Sequence, residues 1–371
     1  MSKAADLART ASASETALSN RNVVINGDYT ISQRGTSFTS QTGVAYHLDR
    51  WEMYGYNMGD GVYRVDQSTD APAGFSNSNK VSCTTADASQ DANNQMFFQQ
   101  MIEGLNSSHI NYFVSSPDTV TLSFWVKSNR TGSYSLALKL SDNGSAQDNT
   151  STRIYNSTYS VSVANTWENK TITIVLDTNS DTKVVTNGFA MAVQFWLGGG
   201  TNRDGSAANS WIANGNAATA SDNLDILGST SNDWYITGVQ LEVGPVATPF
   251  EHRSYGQELA LCQRYYQRIG DIARVSYGLA NAHSTTTVYC PIRFMTTMRV
   301  APSQTTSATN GNFYVTGSGQ QQTTGTVTIG TEGLNPNGVT VSVPVSTLTI
   351  GQSFWFNTVN ANGWIAWEAE L

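Results

Sequence analysis

Charge is what this sequence most lacks. Asp, Glu, Lys and Arg make up 13% of its 371 residues, about half the ~25% usual in soluble domains, and Ser, Thr, Asn, Gln and Gly stand in their place. Basic residues number 20 against 28 acidic, a net charge of −8, and they are scattered, so no counterion-release drive towards nucleic acid exists. Cysteine is nearly absent. Cys83, Cys262 and Cys290 lie far apart without CxxC spacing and read as buried free thiols. His47, His109, His252 and His283 show no HxH or HExxH spacing, and no Asp/Asn-rich loop carries a calcium signature, so neither a metal site nor a cofactor is readable. No apolar run approaches ~18 residues, so membrane insertion is not expected. The first twenty residues lack the apolar core of a signal peptide, and the expectation is synthesis in the cytoplasm with no secretory route.

What is present is length, aromatics and alternation. A chain of 371 residues suits two domains with substantial cores, and 10% aromatics excludes a disordered tract. From 21 to about 250 the dominant period is two: Val120, Leu122, Phe124, Val126; Tyr134, Leu136, Leu138, Leu140; Ile172, Ile174, Leu176; Phe189, Met191, Val193, Phe195, Leu197. Polar turn stretches separate these runs, the longest being residues 198–223. Many half-buried strands without intervening helices predict an all-β antiparallel sandwich of jelly-roll type over 21–253.

Residues 254–270 predict a short connecting helix. Ser254 with Gln257 forms a capping box, Leu259, Cys262 and Tyr266 share a face beside Leu261 and Tyr265, and Gly270 supplies a stop. Period two then returns over 271–371, a second, smaller β-sandwich domain. Residues 1–20 are Ala/Ser-rich, with Ala4, Leu7, Ala11 and Leu18 near heptad spacing. They read either as a frayed terminus or as an arm that orders against a partner or sister subunits.

A weakly charged β surface rich in Trp, Tyr, Asn and Ser has the chemistry of a carbohydrate-binding face. Sugars offer apolar C–H faces to aromatic rings and hydroxyls to amides and carboxylates. Strand phase selects the candidates. Trp125 lies opposite the register Val120–Leu122–Phe124–Val126, and Trp196, with Gln194, lies opposite Phe189–Met191–Val193–Phe195. If the two strands share a sheet, these residues form one outer platform; otherwise a loop or the second domain covers them as a secondary core. Trp211, beside Asn209 and Ser210 and followed by Asn214 and Asn216 in the long loop, is either a sugar-stacking ring or a loop anchor. Tyr54 and Tyr56 form a third candidate against core or turn packing, while Trp51 and Trp234 read as structural, with Asp49 and Arg50 as a local ion-pair or turn device. Catalysis is not expected. Glu52, Glu103, Glu168, Glu242 and Glu251 are dispersed, and only the amide–acid pair Gln240 and Glu242 shares a strand face. GxSxG and β-helix repeats are absent.

Several stretches resemble a family of bacteriophage virion appendage proteins, tail fibres and phage structural proteins. They are NVVINGDYTISQRGTSF (22–38), YHLDRW (46–51), QQMIEG (99–104), TLSFWVKSNRTGSYSLAL (121–138) and YITGVQLEVGPVATPFEHRSYGQELALCQRYYQ (235–267). The resemblance implies a jelly roll like a carbohydrate-binding module, then a helix and a variable C-terminal β-domain that matches only in general character. It also implies a virion location, attachment to other virion proteins through residues 1–20, and a homo-oligomer, with a trimer the default for a fibre. The function expected is host-surface glycan attachment. A purely structural head-fibre, decoration or collar role is the alternative, and polysaccharide depolymerisation a third reading.

Overall fold

The computed structural model describes residues 21–87, 89–145, 152–204, 209–213, 219, 223–306, 312–317, 320–323, 325–329 and 333–371. The expectations for residues 1–20, Asn214 and Asn216 lie outside them. The chain is all-β and divides into two compact units, the first running to Tyr255 and the second from Gly256 to Glu370.

Two antiparallel sheets make the first unit. One runs in the order β1 (Ser37–Gln41), β4 (Val62–Ser68), β5 (Ser78–Thr85), β13 (Asp233–Val243), β7 (Thr119–Ser128), β10 (Glu168–Val175). The other runs β12 (Trp211–Ala213), β9 (Thr152–Val161), β8 (Gly132–Ser141), β11 (Phe189–Gly199), β6 (Gln95–Glu103), β3 (Glu52–Tyr56), β2 (Ala45–Tyr46). Their inward phases meet in one core. Val120, Leu122, Phe124 and Val126 of β7 in the first sheet meet Leu136, Leu138 and Leu140 of β8 and Met191, Val193, Phe195 and Leu197 of β11, paired side by side in the second. Burying each such side chain contributes ~1.5–3 kcal/mol. Trp51 stacks on Phe98 at 4.8 Å, and Trp234 meets the same ring edge-on at 6.0 Å. Their indole N–H groups are satisfied, Trp51 donating to the Asn26 carbonyl at 3.0 Å and Trp234 to the Tyr159 hydroxyl at 3.1 Å. Phe189 departs from the expected register. A bulge between it and Met191 turns its ring outward, where it packs with Met101 and Ala192.

The irregular segment 22–31 is held by polar side chains rather than by a ladder. Asn22 Nδ2 donates to the Val239 carbonyl, Leu241 N donates back to Asn22 Oδ1, and Gln100 both accepts from and donates to the Ile25 backbone. Asn26, at φ +57°, accepts from Ile31 N through its Oδ1 and donates to the Ile31 and Asp49 carbonyls. Gln240 donates to Glu242 at 2.8 Å in the same buried network. Asp49 accepts from Gln33, and Arg50, at φ +71°, donates to the Met101 carbonyl. A two-turn-residue device is therefore what these neighbours of Trp51 provide.

The second unit opens with a helix over Tyr255–Gln263 that buries Glu258 and Cys262. It stops earlier than Gly270. Tyr266–Gly270 is a strand, β14, paired with β23 (Trp364–Glu368), which also pairs β17 (Ser303–Thr306). A nine-residue helix is marginal alone, so the aromatic, β-branched run YQRI goes to the pairing that ladder bonds and burial favour. The other sheet runs β19 (Gln320–Thr323), β18 (Phe313–Gly317), β22 (Ser353–Thr358), β15 (Ser276–Ala282), β16 (Thr287–Arg293), β21 (Gly338–Pro344), β20 (Thr328–Ile329). Val339, Val341 and Val343 of β21 and Phe354 and Phe356 of β22, on one sheet, join Trp367 of β23, on the other, in a core of its own. All three cysteines are buried and free.

Candidate functional site

Trp125 and Trp196 do not form one platform. Trp125 is on β7 and Trp196 on β11, which belong to opposite sheets, so their outward phases point away from each other. Trp196 is 3% exposed and packs with Phe97, Ala137 and Ile154 in a cluster separate from the central core. Tyr54 stacks on Phe97 at 4.7 Å and nearly parallel, and Phe97 meets Trp196 at 4.7 Å. Beside this aromatic ladder runs a polar one. Gln194 donates to Gln99 at 2.8 Å, and Gln99 donates to Glu52. Both ladders follow strand register, Tyr54 opposite Phe97 and Glu52 opposite Gln99. Gln194, Gln99 and Glu52 are all buried, so this face is a covered secondary core over most of its length. Its β3 end is open: Tyr54 is half-buried and Tyr56 is 51% exposed. Burial raises the Tyr54 hydroxyl, with the Glu52 charge adding to it, and burial lowers the nearby Arg203 guanidinium.

Trp211 occupies a different setting. Its short strand β12 pairs with β9, which places Trp211 opposite Tyr155 with ring centroids 5.4 Å apart. The indole N–H donates to the Val175 carbonyl on edge strand β10 at 2.8 Å. An open groove of about 550 Å³ lies here, lined by Trp211, Tyr155, Asn209, Ser210, Arg153, Asp177 and the residues 173, 175, 176 and 178. Arg153 and Asp177 form an ion pair in it, and Asn209 Oδ1 accepts from Ser157 Oγ at 2.8 Å. The indole is thus anchored through its nitrogen and half-exposed along the groove. Anchoring and ligand contact are compatible, because one edge hydrogen bond fixes the orientation of a ring whose face stays available.

One cluster escaped sequence reading. Across the outer face of the six-stranded sheet, Lys127 stands opposite Tyr235, and Tyr235 opposite Lys80. The Lys127 ammonium lies 4.2 Å from the Tyr235 ring centre and 5.2 Å from that of Trp167. Trp167 donates to Asp70 at 3.1 Å, and Lys127 forms an ion pair with the same carboxylate. The Lys127 hydrogen bond holds Asp70 below the ordinary carboxylate range. The half-buried Trp125 lies on this face, opposite Thr237. The phase of β7 did place Lys127 beside Trp125, but Trp167 comes from a turn with no periodicity to read.

Among the described residues no group of three or more His, Cys, Asp or Glu is placed to hold a metal ion. No family model matches the chain, and no curated protein matches it by sequence. Solved structures do. The enzymatically active domain of tailspike protein 4 of bacteriophage CBA120 matches over 60% of this chain and 22% of its own, at 13% identity and a TM-score of 0.31. A carbohydrate-binding module of family 4 matches over 59% of this chain and 98% of its own, at 13% identity and 0.30. The family 11 carbohydrate-binding module of the cellulase Lic26A-Cel5E of Clostridium thermocellum matches over 55% and 97%, at 12% and 0.28. The chain corresponds to about a fifth of the tailspike domain's length.

Proposed function

We propose that this protein is a non-catalytic adhesive component of a phage virion, a fibre-type appendage whose first unit holds host-surface glycan in the Trp211 groove. The observation that carries the reading is the groove itself. A nitrogen-anchored indole and a second aromatic ring, Tyr155, border a strip of hydroxyl, amide and paired charged groups. That combination matches the alternating apolar and hydroxyl faces of a sugar. The virion assignment is supported by the sequence resemblance over 22–267. In it, residues 1–20 join other virion proteins, and a homo-oligomer, a trimer by that resemblance, multiplies weak sites through high effective concentration.

A glycan array with the purified chain tests the reading. Binding is expected for the wild type, and Trp211→Ala should weaken it by ~2 kcal/mol, near thirtyfold, as for a central aromatic contact. Wild-type binding that survives W211A unchanged would remove the groove from the reading. A second reading, a head-fibre, decoration or collar protein that binds no glycan, is favoured by the closure of Trp196 and Gln194 into a covered cluster. It predicts an empty array together with normal assembly onto particles. Depolymerase activity would appear as a fall in host polysaccharide chain length on incubation.

A further inference from the structure

The second unit presents an open sheet face of its own. On the seven-stranded sheet, Trp355 of β22 is 54% exposed and Leu279 of β15 is 48% exposed. They are directly opposite each other in register, and Thr316 of β18 stands opposite Trp355 on the other side. Asn281 pairs with Tyr289 of β16 in register, and Pro291, two residues beyond Tyr289 on the same strand face, stands opposite Thr340 of β21. Across five neighbouring strands one outward face therefore carries the row Thr316, Trp355, Leu279 and the pair Pro291, Thr340. Alternation puts all five on the face away from the core, because their sequence neighbours Val315, Phe354, Ala280, Cys290 and Val341 are buried.

This row ends in a groove of about 190 Å³ whose walls include Pro291, Arg293, Thr340, Asn335 and Asn337. Gly333, at φ +80°, lets the loop before β21 press close. A Cβ there would lie 3.0 Å from Thr340 Oγ1. From Trp355 to Thr340 is three strand spacings, ~14 Å. A second row runs alongside, Ser353, Asn281, Tyr289, Ser342. Ser353 donates to Asn281 at 2.9 Å, and the Tyr289 ring is stacked on His283 at 4.2 Å.

We infer that this face is a second glycan-binding site, a flat platform on Trp355 leading into the Asn335–Asn337 groove, selective for a neutral oligosaccharide. The inference rests on the adhesive reading for its ligand class but uses none of the residues of the Trp211 groove. Along both rows the side chains are hydroxyl, amide or apolar, and the charged Arg293 stands at the far end. An anionic polymer would find no cationic side chain along either row, Arg293 in the groove apart. A protein interface core of contiguous apolar side chains is equally missing, because Trp355 and Leu279 are flanked by hydroxyls and an amide. An exposed indole ringed by neutral hydrogen-bonding groups suits the alternating faces of an uncharged sugar chain.

The test uses the full chain as wild type, W355A, W211A and the double variant, titrated with neutral oligosaccharides identified on an array, with sedimentation followed in parallel. Trp355 is exposed, so W355A should melt like the wild type. The expected result is that W355A weakens binding about tenfold or more, W211A weakens it separately, and the double variant loses it. Binding unchanged in W355A but lost in W211A overturns the second site and leaves the groove. Binding lost in W355A but unchanged in W211A keeps this site and overturns the groove. No neutral-glycan binding by the wild type overturns both. A change of sedimentation in W355A without any change in affinity assigns the face to a second copy of the chain and overturns the inference.

Discussion

His47 lies 1% exposed among aromatic rings, edge-on to Phe38 at 5.1 Å and to Tyr63 at 5.9 Å, with Nε2 3.2 Å from Gln41 Oε1. Burial lowers its pKa to about 4; the charge of Arg34 acts in the same direction, and the Ala45 hydrogen bond opposes it. The folded state therefore keeps this imidazole neutral where the unfolded chain takes up a proton, below about pH 6.5. The stability it contributes is complete above that pH and is lost as pH falls towards 4, up to ~3 kcal/mol. Denaturant unfolding of wild type and His47→Gln across pH 7 to 4 should show a flatter acid limb in the variant; identical limbs would refute the assignment. Tryptophans divide in the same physical way. Trp196→Ala opens a cavity in a closed cluster and should destabilise by ~3–5 kcal/mol, while Trp211→Ala, at the groove, should cost far less stability. Paired unfolding curves of the two variants check the contrast.

Among elements, strands were legible where one face is buried, because alternation is then enforced by the core. β21 follows its sequence pattern residue by residue, and β7 keeps the core register read for it although its other face is largely covered too. β11 was legible as a strand but not in detail. It is buried on both faces, so its pattern carries no information about where the bulge turns Phe189 outward. The helix start after Ser254 was readable, whereas its end was set by a strand partner about a hundred residues away that no local signal names. Nor could phase alone tell that β7 and β11 belong to different sheets, so the joint Trp125–Trp196 platform was the expectation most exposed to error. β13 carries another local break. Its register shifts between Thr237 and Gln240, and Gly238 sits there at φ +62° with its missing Cβ 2.6 Å from the Phe75 ring. Gly238→Ala combines backbone strain with a clash and should cost ~1–3 kcal/mol or more. A fall in melting temperature of the first unit measures it, and an unchanged melt would mean that Phe75 yields freely.

At the scale of the molecule, two cores were foreseeable from two blocks of period two, and each unit does assemble its own. The stretches that carry the family resemblance are mostly structural. Asn22 ties the irregular segment 22–31 to β13, Gln100 ties it to β6, and Asn26 closes it on Ile31 and Asp49, so likeness in these stretches speaks for the scaffold and leaves ligand choice to the grooves and faces elsewhere. Because the first unit's sheets and core are complete within residues 21–255, that fragment expressed alone should fold cooperatively. Its amide spectrum would then overlay the corresponding part of the full chain, and a collapsed spectrum would argue against self-sufficiency.

The place of the last strand in each unit bears on how the protein is made. β13 lies between β5 and β7, and β23 between β14 and β17, so in both units the latest-synthesised strand fills the centre of a sheet. A nascent chain halted short of residue 233 exposes two unpaired strand edges at once, the condition in which β-proteins stick to one another. Translation therefore has to run past each closing strand before its unit can lock. Ribosome pausing or premature termination inside 200–232 or 307–363 should yield insoluble product, whereas release just after residue 255 should not.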